Sequence, residues 1–339
     1  MESIYNKTKE ELEEYFLSIG QKKFKAIQLY EWIYQKRIYK FSEMSNIKKE
    51  IIKKLDEGFY FETIEKEEVE RSKDSNKYLF KLSDTNRVEA VLMRHDYGLS
   101  VCISSQVGCN MGCKFCESGI RKKVRDLTAS EMILQILEIE KDIEEKINYI
   151  VIMGIGEPLD NFLNIKKFIT IINDPKGINL GARHITISTC GIIPKIKELE
   201  NFPFQVNLAI SLHATNNRLR DKLMPINRVY KIEQLISAVK EYIKKTNRRV
   251  MFEYIMLDGI NDKEENAKEL VSLLRGINCV VNLIPYNETS HLEFKRTKKD
   301  KILKFYDIIK KGKINVTIRR EFGSEISAAC GQLRSSKED

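Results

Sequence analysis

Residues 100–131, "SVCISSQVGCNMGCKFCESGIRKKVRDLTASE", read as a strand, a long loop and the opening turn of a helix. "SVCISS" has the short, β-rich character of a strand. "TASE", Thr128 to Glu131, fits a capping box, in which a threonine and a glutamate satisfy each other's backbone N–H groups at a helix start. The same rhythm recurs downstream. Strand-like runs "YIVIM", "HITIS", "QVNLAISL", "RVMFEYIML", "CVVNLIPY" and "INVTIRR" follow in order, most of them separated by helical segments. Strands alternating with helices imply a parallel sheet, and six or seven such units in about 220 residues suit a partial or complete TIM-like barrel, an α/β fold. A doubly wound open sheet is the alternative.

Upstream the pattern differs. Residues 1–57 carry apolar side chains at helical spacing, with "FKAIQLYEWIYQKR" as the clearest case. Residues 58–97 alternate, as in "NKYLFKLSDTNRVEAVLM", and predict a small β-meander. The expected organisation is therefore a helical accessory domain at 1–57, a meander at 58–97 and a barrel with a C-terminal segment at 98–333. A frayed tail follows at 334–339.

The chain has 339 residues and a net charge of +9. Its N-terminus is charged from the start and its longest apolar run is too short for a bilayer, so a cytoplasmic protein with no membrane partner is expected. The positive charge is clustered. Residues 21–54 hold ten Lys/Arg against three Glu, interleaved with Phe24, Tyr30, Trp32, Tyr34, Tyr39 and Phe41. Further basic runs are "RKKVR", with Arg121, Lys122, Lys123 and Arg125, and "KRTKKDK" at 295–301. Cations neutralise phosphates and aromatic faces stack on unpaired bases, so three such patches favour a polyanionic partner. The plain alternative is a helical bundle with core aromatics and a solvated basic face.

The polar and glycine-bearing pieces fall where strands end, which is where barrels of this kind keep their chemistry. They are the cysteine loop, "GIGEPLDN", "STCG", "SLH" and "PYN". Four of the seven cysteines, Cys102, Cys109, Cys113 and Cys116, occupy fifteen positions. A disulfide framework does not suit a large chain without secretory features. Structural zinc normally takes four ligands, and no fourth Cys or His stands at the expected spacing. Three thiolates on an iron–sulfur cluster would leave one iron open for a cofactor. Zinc remains the alternative.

With Phe115 directly before Cys116, the C-x3-C-x2-C motif resembles the radical S-adenosylmethionine (SAM) superfamily. There the open iron of a [4Fe-4S] cluster chelates SAM, and an electron from the cluster splits it to a 5′-deoxyadenosyl radical. "SSQVGCNMGCKFC", "GIGEPLDN", "ARHITISTCGIIPKI", "NLAISLHATNNRLRDKLMPIN", "NLIPYN" and "ISAACGQLR" further resemble the RlmN/Cfr rRNA methyl synthases. The resemblance implies methylation of an adenine ring carbon, at C2 of adenosine 2503 in 23S rRNA and of adenosine 37 in certain tRNAs for the RlmN type, or at C8 of the same rRNA base for the Cfr type. Pro158, Val107, "SLHAT" and "LIPYN" follow the RlmN pattern.

The same resemblance implies the site. Cys109, Cys113 and Cys116 would hold the cluster. Gly156, Glu157, Ser188, Ser211, Leu212, His213 and Asn287 would contact SAM, two molecules of which serve each turnover. Cys330 would accept a methyl group from the first SAM, and Cys102 would later remove a proton from the adenine carbon, forming a transient disulfide with Cys330. Glu89 matches a proton acceptor, although strand alternation alone puts it on an exposed face. Cys190 and Cys279 match no catalytic position and are expected in core or loop. A flavodoxin-type electron donor and a monomeric chain are expected as well. One departure stands out: "FCESGIRKKVRDL" replaces the family's "FC(A/S)(S/T)" and glycine-containing turn with a more basic loop, which bears on substrate choice. Two rival classes use fewer of these features. A methylthiotransferase would need a second cysteine triad, which the sequence lacks. A non-enzymatic iron–sulfur RNA-binding regulator would have no use for the Cys102/Cys330 pair.

Overall fold

Runs such as Tyr149–Ile152 and Cys279–Pro285 are apolar at nearly every position, so neither face can be left to water, and helices must cover the side that does not face the barrel interior. The computed structural model describes residues 1–289, 291–320, 322, 326 and 331–333. Its main sheet contains ten strands: β1 (Glu65–Arg71), β2 (Ser75–Lys81), β3 (Arg87–His95), β4 (Gly98–Cys102), β5 (Tyr149–Ile152), β6 (Ile185–Thr189), β7 (Asn207–Ser211), β8 (Val250–Met256), β9 (Cys279–Pro285) and β10 (Asn315–Ile318).

From β4 to β10 every neighbouring pair is parallel and the spatial order equals the chain order. A doubly wound sheet would reverse that order at a switch point; none occurs here, so the sheet curls one way as a partial barrel. The connecting helices include α4 (Ala129–Ile143), α5 (Phe162–Asn173), α6 (Ile193–Leu199), α8 (Ile232–Thr246), α9 (Glu264–Leu274) and α10 (Lys299–Lys311), with a short α7 (Asn217–Leu223) between β7 and α8. Helix α4 starts where the sequence predicts. Glu131 N donates to Thr128 Oγ1 at 3.1 Å, and Thr128 N donates to Glu131 Oε2 at 2.9 Å. Its apolar face, with Met132, Ile133, Ile136 and Ile139, is buried in the core shared with the strands. At roughly 1.5–3 kcal/mol per fully buried large side chain, that face is the chief reason the helix is stable.

The meander is not a separate layer. Strands β1 to β4 pair antiparallel in sequence, and β4 then pairs parallel with β5, so the meander and barrel share one sheet. Strand β3, between β2 and β4, is covered on both faces, and this corrects the expectation for Glu89, which is 1% exposed. Its carboxyl lies 3.5 Å from Lys77 Nζ.

Helices α1 (Lys9–Ser18), α2 (Phe24–Tyr30) and α3 (Lys49–Gly58) pack on the outside of the barrel. Ser3 and Ser130 share a hydrogen bond of 2.7 Å, Lys9 pairs with Asp174 at 2.7 Å, and Lys167 pairs with Glu11 at 2.8 Å. Tyr30, Tyr34 and Phe41 are buried in the common core, whereas Phe24 and Tyr39 are each 47% exposed. Trp32 is half-buried under the Lys36 ammonium, 3.5 Å from its ring centre. Half of the six interleaved aromatics are therefore core residues rather than stacking faces. No described helix is long and apolar enough to cross a membrane.

Candidate active site

The strand ends gather as the topology requires. After β4 the chain runs through Ile103–Ser105 and is crossed by the turn that follows β5. A Cβ on Gly154 would stand 2.7 Å from the Ile103 carbonyl, and one on Gly156 would stand 2.6 Å from Gln106 Cβ. Gly156 also has φ +107°, which favours glycine. The two glycines thus let backbone meet backbone, and they set Glu157 beside the cavity. Glu157 is buried. Its Oε2 accepts from Cys190 N at 2.8 Å and its Oε1 from Leu159 N at 3.0 Å. Burial raises its carboxyl above the usual range, and the backbone donors partly offset this.

His213, just past β7, has φ +55°. Its Nδ1 accepts from Ile255 N at 3.0 Å, so Nε2 carries the proton. Burial first, then the Arg220 charge, hold its pKa down to about 3, so the ring is neutral at physiological pH. Its ring meets Phe115 edge-on at 4.8 Å, which ties the β7 loop to the cysteine loop.

One cavity is lined by Cys109, Cys113, Cys116, Gly156, Glu157, Ser188, Ser211 and His213. The predicted cluster ligands and most of the predicted SAM contacts therefore share a single space. Leu212 and Asn287 do not line it. Leu212 is fully buried in the main core and spends its N–H on Glu253 O, while Asn287 is buried beyond the wall. Cys102 ends β4 opposite Val91 and is buried among Val91, Met93, Ile155, Phe322 and Leu333. Cys330 and the tail at 334–339 lie outside the described residues. The residues that follow Cys330 are tied to the site: Glu117 N donates to Gly331 O at 2.8 Å, Ser118 Oγ to Leu333 O at 2.9 Å, and Gln332 Nε2 to Glu288 O at 3.1 Å. Gly331 lines the cavity and Leu333 touches the cluster of side chains around Cys102. Cys190, at the cavity wall, and Cys279 are both buried, as expected of core or loop cysteines.

The donor set fits an iron–sulfur cluster. Burial pushes the Cys109 thiol up to about 12 and the Cys113 thiol well above the ordinary range, with the neighbouring cysteines adding to the effect. Ionising three neighbouring, partly buried thiols needs a cationic group between them. The three thiols line one cavity, and thiolates are the ligands an iron–sulfur cluster takes.

Sequence reasoning missed three contributors. Arg220 is fully buried and donates to Leu212 O, Ser211 O, Cys190 O and Asn227 Oδ1 at 2.7–3.2 Å, stapling the ends of β6 and β7. Glu253, on the cavity wall, accepts from Asn282 Nδ2 at 2.9 Å, and burial raises its pKa. Arg319 lines the same cavity, with Nη1 3.8 Å from Met153 Sδ. A lone charge inside an apolar strand, as in "VMFEYIM", is the one signal that pointed to Glu253.

The basic loop divides into two sets. Arg125 is engaged with Glu131 at 2.7 Å and Asp84 at 2.5 Å, and Lys123 with Asp160 at 2.7 Å and Asp126 at 3.2 Å. Arg121 and exposed Lys122 line a second cavity beside the first.

Residues 103–271 match the family model of the radical SAM superfamily, and residues 3–60 match that of the ribosomal RNA large subunit methyltransferase N-terminal domain. The chain is 52% identical over 345 aligned positions to the "Probable dual-specificity RNA methyltransferase RlmN" of Enterococcus faecalis, covering 99% of this chain and 97% of that protein. It is 51% identical to the protein of the same name from Acholeplasma laidlawii, covering 98% of each. The crystal structure of a radical SAM methyltransferase from Sphaerobacter thermophilus superposes with a TM-score of 0.93 at 38% identity, covering 99% of this chain and all of that one.

Proposed function

From the premise that this chain belongs to the RlmN-type radical SAM RNA methyltransferases, which work with a [4Fe-4S] cluster and SAM, we propose that it methylates C2 of an adenosine through a cysteine-borne methyl group. The substrates we assign are 23S rRNA at adenosine 2503 and, in the same chemistry, tRNA at adenosine 37. The observation that carries this reading is the shared cavity: three thiols and the Gly156–Glu157, Ser188, Ser211 and His213 edges line one space, and residues 331–333 cross beside it to reach the surroundings of Cys102.

In this account Cys109, Cys113 and Cys116 hold the cluster. When bound, the cluster and SAM supply a carbon radical able to take a hydrogen atom from an unactivated methyl group. The chain does the rest. Glu157, fixed by two backbone N–H groups, keeps lone pairs for the amino end of SAM. His213, neutral with its proton on Nε2, offers a donor that does not repel the sulfonium. Asn287 and Leu212 act from outside the cavity lining, through backbone and loop placement. Cys330 takes a methyl group as a nucleophile, loses a hydrogen atom from it, and bonds through the resulting carbon to adenine C2. The adduct gives up one electron, which the oxidised cluster would take back. Cys102 removes the proton from that ring carbon and passes it to solvent. Attack of the Cys102 thiolate on the Cys330 sulfur then breaks the carbon–sulfur bond, the freed carbon taking a proton from water to become the methyl group. Glu89, buried against Lys77, serves as a further proton acceptor in this scheme. A flavodoxin-type protein supplies the electron, and the enzyme acts as a cytoplasmic monomer.

Nucleoside mass spectrometry of rRNA and tRNA from cells with and without the gene tests the reading. Loss of 2-methyladenosine on deletion supports it. Loss of 8-methyladenosine instead means Cfr-type regiochemistry, and no change in either nucleoside with an intact cluster means an RNA-binding regulator.

A further inference from the structure

A third cavity, of about 820 Å³, is an open groove between α7, the turn after β8 and the start of α9. None of its residues lines the cavity of Arg121 and Lys122. Lys114 of the cysteine loop stands on its wall with Arg218, Lys222 and Lys263. All four are exposed, and none forms an ion pair among the described residues. Two carboxylates face them, Glu265 and Glu269. Glu269 is already engaged, accepting from Asn216 Nδ2 at 3.1 Å and from the Thr215 hydroxyl.

The centre of the groove is apolar. Ile260 is 37% exposed, and Leu219 and Phe294 are half-buried. Behind this surface lie the thiols. Leu219, Leu223 and Phe294 pack in the same group of side chains as Cys113 and Cys116, and Lys114 N donates to Leu223 O at 2.9 Å. Leu223 lines the groove, and Met224, the next residue, lines the thiol cavity. Groove and thiol cavity therefore stand back to back, with one apolar layer between them.

That placement suits the delivery of electrons. A cluster that cleaves SAM must be reduced from outside, and the cavity itself is needed for SAM and the base. A protein donor has to come close through another wall. RNA would also answer to four cations, but the one aromatic ring here, Phe294, is half-buried and meets Tyr286 edge-on, so no free face is offered to a base. An apolar centre within a charged rim is the anatomy of a protein interface.

We propose that this groove is the docking face for the electron donor, an acidic protein that carries a one-electron flavin. Its carboxylates meet Lys114, Arg218, Lys222 and Lys263, and its apolar surface seats on Leu219, Ile260 and Phe294. One electron passes from the reduced flavin to the oxidised cluster, so the flavin is oxidised by one electron and the cluster reduced by one, with no bond made or broken. This rests on the radical SAM reading and gives its partner a binding face.

The test uses the cluster-loaded protein under anaerobic conditions with a purified flavodoxin as the probe. Calorimetry measures affinity, and stopped-flow bleaching of the cluster's visible absorption by flavodoxin hydroquinone measures reduction. Arg218→Glu/Lys222→Glu should lose roughly tenfold or more in both at low salt, and the gap should narrow at high salt as the charges are screened. Arg218→Gln/Lys222→Gln should fall between, and covers the case in which charge reversal disturbs α7. Reduction by dithionite and affinity for an RNA hairpin should match the wild type in every variant. Lys268→Glu, on α9 but off the groove wall, should change nothing. A wild type that does not bind flavodoxin, or a reversal variant reduced at the wild-type rate, overturns the proposal. So does a reversal variant that loses affinity for RNA instead, which would give the groove to RNA. Failure of the methyltransferase reading shows separately, as absence of methyladenosine when dithionite replaces the protein donor.

Discussion

Replacing Arg220 by methionine removes a buried cation whose guanidinium joins two strand ends. In the folded protein its nitrogens reach Cys190 O at 2.7 Å, Ser211 O at 3.1 Å, Leu212 O at 3.2 Å and Asn227 Oδ1 at 3.2 Å. Methionine fills similar volume but leaves up to four acceptors without a donor. Each unmatched buried acceptor costs about 1–3 kcal/mol, and shared relaxation and water entry keep the sum below simple addition, so a loss of about 3–5 kcal/mol is expected. Against a typical stability of roughly 5–15 kcal/mol, the variant should fold but unfold at clearly lower urea. The effect should also reach the site, because Ser188, Ser211 and His213 sit on the strand ends that Arg220 joins. SAM affinity should fall together with stability, and Arg220→Lys should rescue little, since an ammonium cannot span acceptors arranged around a planar fork. Equilibrium urea unfolding and SAM binding by calorimetry measure both. A loss under about 1 kcal/mol with unchanged SAM affinity would refute the stapling argument.

Three further outcomes follow from the same geometry. Cys109→Ala, Cys113→Ala or Cys116→Ala should each lose the visible absorption of the cluster and with it SAM cleavage; a single variant retaining full iron and sulfide would remove that residue from the ligand set. Lys122→Ala should weaken RNA binding and lower the salt slope by about one contact, whereas Arg125→Ala should chiefly cost stability through the loss of its Glu131 and Asp84 partners, as binding at several salt concentrations and thermal melts would show. The His213 pKa is lowered in the fold, so the unfolded chain binds more protons in acid, and stability is lost as pH falls from about 6.5 toward about 3. A His213→Asn protein should show a shallower loss across that window in urea unfolding, and an unchanged pH profile would contradict the buried, neutral ring.

The parallel strands were legible because residues buried on both faces leave short unbroken apolar runs, and "TASE" marked the start of α4 by its own chemistry. The union of meander and barrel was not, since an alternating pattern does not say whether β4 finds a second partner in β5, some fifty residues on. Helical spacing in residues 24–37 identified the helix but could not tell Tyr30 and Tyr34, which face the core, from Phe24, which faces water. The cysteine loop stood out by its spacing, whereas the spacing of Gly154 and Gly156 alone allowed only a tight turn, and the role expected of Glu157 came from the family resemblance. Charged residues were the hard part. Lys123 and Arg125 look like free cations in sequence, yet their partners Asp84, Glu131 and Asp160 come from three other segments. Arg220 and Glu253 gave little signal for the same reason: a buried charge is explained only by partners that the fold brings from elsewhere.

The central claim is that the methyl group passes through Cys330 as a carbon radical rather than moving directly from SAM to the base. SAM carrying a fully deuterated methyl group tests it in a single turnover series with RNA, read by mass spectrometry. If the S-methyl group surrenders one hydrogen atom and later takes one from water, the methyladenosine carries two deuterium atoms, and the third appears in 5′-deoxyadenosine. A product that keeps all three, with none in 5′-deoxyadenosine, would contradict the account.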